Sequence, residues 1–167
     1  MALAASTTLS ATAQRVTDVF TNEDFIKHVS FTVGGELKSF EISGPTSGAF
    51  TTKTVRTLPT TRMPEIARKF VGASLTVTQE ESWSAPEADG ARTNTIKLTV
   101  AGAPVDVKAT QRLVPSGDGT VVELNGEVKS AVPFLGAKIA SAAEPVIGKA
   151  LNLQATLAQE WLESHPA

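Results

Sequence analysis

Between Ala73 and Ser130 the chain alternates with a period of two residues in four successive runs. No helix keeps that period, because successive side chains of a strand point to opposite faces whereas a helix repeats every 3.6 residues. In the first run, Ala73 to Ser84, one face carries Ala73, Leu75, Val77, Gln79, Glu81 and Trp83. The other carries Ser74, Thr76, Thr78, Glu80, Ser82 and Ser84. Ala91 to Val100 puts Ile96, Leu98 and Val100 on one face. Val105 to Leu113 sets Val105, Val107, Ala109, Gln111 and Leu113 against Asp106, Lys108, Thr110 and Arg112. Thr120 to Ser130 aligns Val122, Leu124, Gly126 and Val128. Pro86 to Gly90, Gly102 to Pro104 and Ser116 to Gly119 carry the turn residues between runs, and connections this short pair neighbouring strands antiparallel. Twenty-one threonines and sixteen valines supply the β-branched side chains that favour strands.

After Ser130 the period changes. Ile139, Ala143, Val146, Ala150, Leu153, Leu157 and Trp161 recur at steps of three and four, which predicts one apolar stripe along a long helix. Roughly 28 residues at 1.5 Å each would span about 40 Å. Pro145 lacks a donor and clashes with the preceding turn, so a kink, or two helices meeting there, is expected. A shift of the helix about this point would let it act as a lid.

The first part of the chain mixes both periods. Leu3 to Ser10 reads as a strand. Thr12 is a candidate N-cap for Ala13, Val16, Val19 and Phe20 at helical spacing. Asn22 is a second, with Glu23 and Asp24 in the first turn, where negative charge suits the helix dipole. Phe25, Ile26 and Val29 supply that helix's apolar face, and it should end near Phe31 to Val33, before Gly34-Gly35. Glu36 to Ser43 and Ala49 to Leu58 read as strands around the turn residues Gly44-Pro45 and Ser47-Gly48. Pro59 to Pro64 breaks the pattern, and Pro64 suits the first position of a short helix through Phe70, ended by Gly72. Residues 1–167 carry no linker or repeat. The expectation is one α+β domain: a curved antiparallel sheet of about six or seven strands wrapped around a long C-terminal helix, with two short helices after the first strand.

Composition removes several functions. The chain is 41% apolar and 19% charged with net charge -2, so it is not disordered and offers no basic stripe to nucleic acid. Without cysteine there is no disulfide, thiol nucleophile or thiolate metal site. His28 and His165 are isolated, so neither a metal site, a catalytic histidine nor a cofactor is expected. Gly34-Gly35 lacks the Gly-Lys-Ser/Thr continuation of a phosphate loop, and no Gly-x-Ser-x-Gly elbow occurs. Met1 to Ala11 lacks the basic start of a signal peptide, and no window approaches the ~18 apolar residues of a membrane helix. A cytoplasmic protein is expected.

Polar residues on otherwise apolar faces are the candidate site. Gln79, Glu81 and Gln111 either orient a ligand from within an apolar cavity or mark strand ends reaching solvent. Arg56 shares a face with Phe50, Thr52 and Thr54. There it would pair with Glu81 or bind a ligand carboxylate, unless it is an ordinary ion pair or an exposed strand residue. Trp83 and Trp161 suit core packing or a cavity wall. Phe134 and Leu135 suit a cavity mouth or a loop anchor. Glu80 and Glu81 point to opposite faces and cannot act as a catalytic pair.

Three stretches resemble a known superfamily. They are Val55-Arg56-Thr57-Leu58-Pro59 ahead of Pro64, Glu80-Glu81-Ser82-Trp83, and Val132-Pro133-Phe134-Leu135-Gly136 leading into the last helix. Their order resembles the START-like (SRPBCC, helix-grip) proteins and, within them, an uncharacterised actinobacterial family. The resemblance implies a cavity between sheet and helix that receives a hydrophobic or amphipathic molecule such as a lipid or polyketide. It implies no substrate. Leu75, Val77, Ile96, Leu98, Val107, Leu124, Val146, Ala150 and Leu153 are the expected lining. Arg56, Gln79, Glu81 and Gln111 would set orientation, with Trp83 and Phe134 at the wall and mouth. A non-enzymatic carrier is the leading expectation, its partner a hydrophobic small molecule. The alternatives are a cyclase or hydratase using a cavity carboxylate, and an interaction module with a solid core.

Overall fold

The computed structural model describes residues 2–61, 65–69, 72–102 and 104–166. Its strands are β1 (Ala2–Leu9), β2 (Glu36–Ser43), β3 (Phe50–Pro59), β4 (Ser74–Trp83), β5 (Arg92–Val100), β6 (Asp106–Ser116) and β7 (Gly119–Lys129). The helices are α1 (Ala13–Phe20), α2 (Glu23–Thr32), α3 (Glu65–Arg68) and α4 (Gly136–Ser164). All seven strands form one antiparallel sheet in the order β1-β7-β6-β5-β4-β3-β2. The first strand therefore pairs with the last, and β2 and β1 are the two edges. A bulge between Leu37 and Ser39 interrupts the β2–β3 register.

Local chemistry sets the helix starts. Thr12 Oγ1 accepts the Arg15 N–H at 3.2 Å, and Asn22 Oδ1 accepts the Phe25 N–H at 3.1 Å. Both satisfy donors that a helix N-terminus leaves unpaired. The β6–β7 hairpin closes through Gly117-Asp118 between the paired Ser116 and Gly119. Gly117 has φ +59°, which a tight hairpin turn requires at its first central position. The described part of the short helix α3 is Glu65–Arg68, followed by a turn at Lys69. Pro64 and Phe70, its expected ends, lie outside the described residues.

The inner sheet face packs against α4, with α1 and α2 closing one end. Two apolar clusters result. One joins Leu3, Leu75, Val77, Ile96, Leu98, Val107, Leu124 and Val128 to Ile139, Ala140, Ala143 and Leu151 of α4. The other joins Leu9, Val16, Phe20, Phe25, Phe50, Trp83, Leu113 and Val122 to Leu157 and Ala158. Phe50 and Trp83 stack there, 5.5 Å apart and 10° from parallel.

The last helix is one element with Pro145 inside it, not two helices. Its stripe is also rotated from the expected one. Ile139, Ala143 and Leu157 are buried as spaced, but Ala150 is exposed, and Val146 and Leu153 are half-buried. Leu151, Gln154, Ala155 and Ala158 are buried instead. The helix meets two surfaces: Leu151 faces the sheet cluster, while Leu153, Leu157 and Trp161 pack toward α1 and α2. Residues about 100° apart thus share the burial, and a single stripe of large residues does not describe it. His165 is held at the end of α4, its ring stacked 3.9 Å from that of Trp161. Among the described residues, no helix is long and apolar enough to cross a membrane.

Candidate functional site, a buried polar belt under the last helix

Across the inner face, between the two apolar clusters, runs a belt of polar side chains. Alternation along β3 buries Thr52, Thr54 and Arg56. Alternation along β4 buries Gln79 and Glu81, and β5 and β6 add Asn94 and Gln111. The antiparallel register aligns them: Thr52 lies opposite Glu81, Thr54 opposite Gln79, and Asn94 opposite Gln111. Gln154 of α4 is also buried. Gln79, Glu81 and Gln111 are each no more than 5% exposed, so their strands do not emerge into solvent at these positions.

Glu81 is the hub. Its Oε1 accepts from Gln79 Nε2 at 3.1 Å and Asn94 Nδ2 at 3.0 Å. Its Oε2 accepts from Thr52 Oγ1 at 2.8 Å and, at the weak limit of 3.5 Å, from Trp83 Nε1. Four neutral donors thus occupy the four lone-pair sites of one carboxylate. Asn94 Nδ2 also donates to Gln111 Oε1 at 3.3 Å. Glu81 fixes the orientation of the Asn94 amide, because the flipped form would turn an oxygen toward the carboxylate. That leaves Asn94 Oδ1 buried without a partner among the described residues.

Arg56 is 9% exposed, and its Nε and Nη2 are buried without a hydrogen-bond partner among the described residues. The ion pair with Glu81 that the sequence allowed is absent as a contact, because Glu81 is saturated by neutral donors. Its charge still acts: burial lowers the Arg56 guanidinium below its ordinary range, and Glu81 opposes that shift. A buried cation with an unbonded edge is costly, and native proteins rarely leave one unexplained.

Arg92 is not among the sequence candidates, yet it is fully buried. Its Nη2 donates to the carbonyls of Thr46 at 2.7 Å and Gly48 at 3.3 Å, and its guanidinium carbon lies 5.6 Å from the Phe50 ring centre. Burial lowers its proton affinity too, opposed by Asp18. It ties the β2–β3 connection to the core. Sequence reasoning also misses Thr52, Thr54 and Asn94 as site residues. Extending the face of Arg56 back along β3, and that of Ile96 back along β5, would find them. Gln154 carries no sequence signal, because it lies off the stripe of large apolar residues.

The remaining candidates divide. Leu75, Val77, Ile96, Leu98, Val107 and Leu124 share the sheet cluster on one side of the belt, and Trp83 lies in the other cluster. Ala150 does not join them, since it faces solvent. Phe134 is fully exposed before α4, with φ +64°, a left-handed conformation that disfavours a bulky residue. Leu135 beside it is partly exposed. On the same end of α4, Ala137, Lys138, Ser141 and Ala142 line an open hollow of about 540 Å³. A second hollow, about 340 Å³, lies over β2, β3 and β4; Glu41, Lys53, Glu80 and Ser82 line it together with Thr52 and Glu81 of the belt. Neither hollow is lined by residues of both the sheet and α4.

The belt has one carboxylate and no histidine, so it is not a metal donor set. A carboxylate whose lone pairs are all engaged acts as a fixed negative charge. It must release a donor before it can accept a proton from a substrate.

Residues 4–162 match the model of a family described as proteins of unknown function, DUF2505. No curated protein matches the sequence. Among solved structures, the chain is similar to a protein from Thermus thermophilus, with TM-score 0.64 and 14% identity over 100% of both chains. It is similar to a STAR-related lipid transfer protein from Xanthomonas axonopodis, with TM-score 0.61 and 14% identity over 96% of this chain and 84% of that one. It is similar also to norcoclaurine synthase from Thalictrum flavum in complex with dopamine and hydroxybenzaldehyde. There the TM-score is 0.55 and the identity 15%, over 100% of this chain and 88% of the other. At these identities the likeness shows the fold, which is the START-like helix-grip arrangement.

Proposed function

We propose the following for a chain that belongs to the DUF2505 family of proteins of unknown function: it binds a small amphipathic molecule between the inner sheet face and α4. The observation that carries this is the belt itself. Where a sheet packs on a helix, an apolar core is the stable filling, and each buried polar group must be satisfied or costs stability. Here polar side chains from four strands divide the core of the sheet face into two clusters. Apolar walls with a few convergent polar groups are the composition of a ligand site. Leu75, Val77 and Leu98 on one side would cover the ligand's apolar body, and the belt would receive its polar end. Solved structures of the same fold, one named for lipid transfer and one an enzyme in complex with dopamine and hydroxybenzaldehyde, support a small-molecule use of this fold.

The engagement of Glu81 favours binding over catalysis. A cyclase or hydratase would need Glu81 free as an acid or base, and both its oxygens are held. Native mass spectrometry before and after organic extraction tests the reading. We expect a one-to-one adduct that extraction removes, or uptake of an added amphiphile by the extracted protein. A protein that carries no adduct and takes up neither decanoate nor decanol has a solid interior. That result overturns the reading and leaves the interaction module.

A further inference from the structure

We propose that the ligand is a monocarboxylate, held side-on by the Nε and Nη2 edge of Arg56. This rests on the interior site proposed above and names the chemistry of its ligand. Five N–H bonds leave a guanidinium in fixed directions. Nε–H and the outer N–H of Nη2 run parallel along one side of the plane, spaced to match the two oxygens of a carboxylate. These are the two nitrogens of Arg56 that are buried without partners among the described residues. An entire fork is therefore unbonded, on a side chain nine-tenths buried.

Arg92 is the internal control. It too is buried with two nitrogens unpartnered among the described residues, but they are Nε and Nη1. Those two point along different sides of the plane and form no fork. Its Nη2, which would complete one, is spent on the Thr46 and Gly48 carbonyls. The comparison separates an arginine built into the fold from one with an open recognition edge.

Charge selects the class of anion. Glu81 already sets a negative field at Arg56, so every anion enters against it, and a dianion such as a phosphate monoester meets about twice the opposition that a monocarboxylate does. Nor does Glu81 compete for the fork, because its lone pairs are filled by Thr52, Gln79, Asn94 and Trp83. The neutral donors thus keep Glu81 off Arg56 and leave the fork for the incoming acid. The apolar walls require that this acid carry a hydrocarbon or aryl body.

Isothermal titration of the extracted protein with sodium decanoate and with decanol at neutral pH tests this. The two probes share a chain and differ in the head group. We expect decanoate to bind at least tenfold tighter than decanol, the scale of one charge-assisted hydrogen-bond pair. Arg56→Met should abolish the preference. Arg56→Lys keeps the charge, and hence guards against loss of the fold, but offers no fork; the preference should fall at least threefold. Equal binding of the two probes by the wild type, or a wild-type preference retained by both variants, overturns the carboxylate assignment and leaves the interior site standing. Binding of neither probe overturns the interior site itself.

Discussion

Glu81 and Arg56 are coupled without touching, and that coupling is measurable. The carboxylate is solvated by four donors, while the field of that carboxylate offsets the burial of the guanidinium. Removing the charge of Glu81 leaves a buried cation uncompensated, a class of change that costs about 3 kcal/mol. We expect Glu81→Gln to lower stability by that order in urea unfolding. Adding Arg56→Met should recover at least half of it, because no lone charge then remains. Simple additivity of the two changes would show that Arg56 and Glu81 do not interact. A pH titration is the wrong probe here. Burial lowers the Arg56 pKa, so the cost is present at every pH below its folded value and is relieved only as pH rises through it.

The last helix shows how one element serves two surfaces. Of its buried residues, Ala140, Ala143, Ala155 and Ala158 are small, and Ile139, Leu151, Gln154 and Leu157 are large. Small side chains bring the helix axis close to the sheet. Pro145 sits inside the helix with its ring exposed, so it contributes no core contact and removes one backbone hydrogen bond. We expect Pro145→Ala to raise stability by about 2 kcal/mol and to slow amide exchange over residues 141–149. If exchange there is unchanged, Pro145 does not loosen the helix and the lid reading fails. The spacing of large residues anticipates the helix and its length. It misses the rotation at Ala150 because hydropathy does not record which of two surfaces a residue meets.

At the scale of the molecule, pairing of β1 with β7 ties the beginning of the chain to its end. Leu3 belongs to one apolar cluster and Leu9 to the other, so this strand spans the belt as α4 does. Contacts this distant in sequence form late and together. Deleting residues 2–9 would bare one side of β7 and open both clusters. We expect the truncated protein to lose cooperative thermal unfolding, followed by circular dichroism. A sharp transition would show that the remaining six strands and α4 suffice.

Much was determined by the sequence alone. The period-two runs, the turn residues between them, the caps at Thr12 and Asn22 and the late helical stripe establish the element order and most boundaries within a residue or two. Those signals are local, since each depends on neighbours a few positions apart. The inward direction of Gln79, Glu81 and Gln111 was legible for the same reason, because alternation carries side-chain direction along a strand. The tertiary structure decided what these groups meet. Antiparallel register brings Thr52, Glu81, Asn94 and Gln111 from four strands into one network. It fills Glu81 with neutral donors, leaves the Arg56 fork open and spends the matching edge of Arg92 on a loop. Hydrogen bonds between residues far apart in the chain are selected by distance and angle in space, and no spacing along the sequence encodes which of two arginines keeps a free edge.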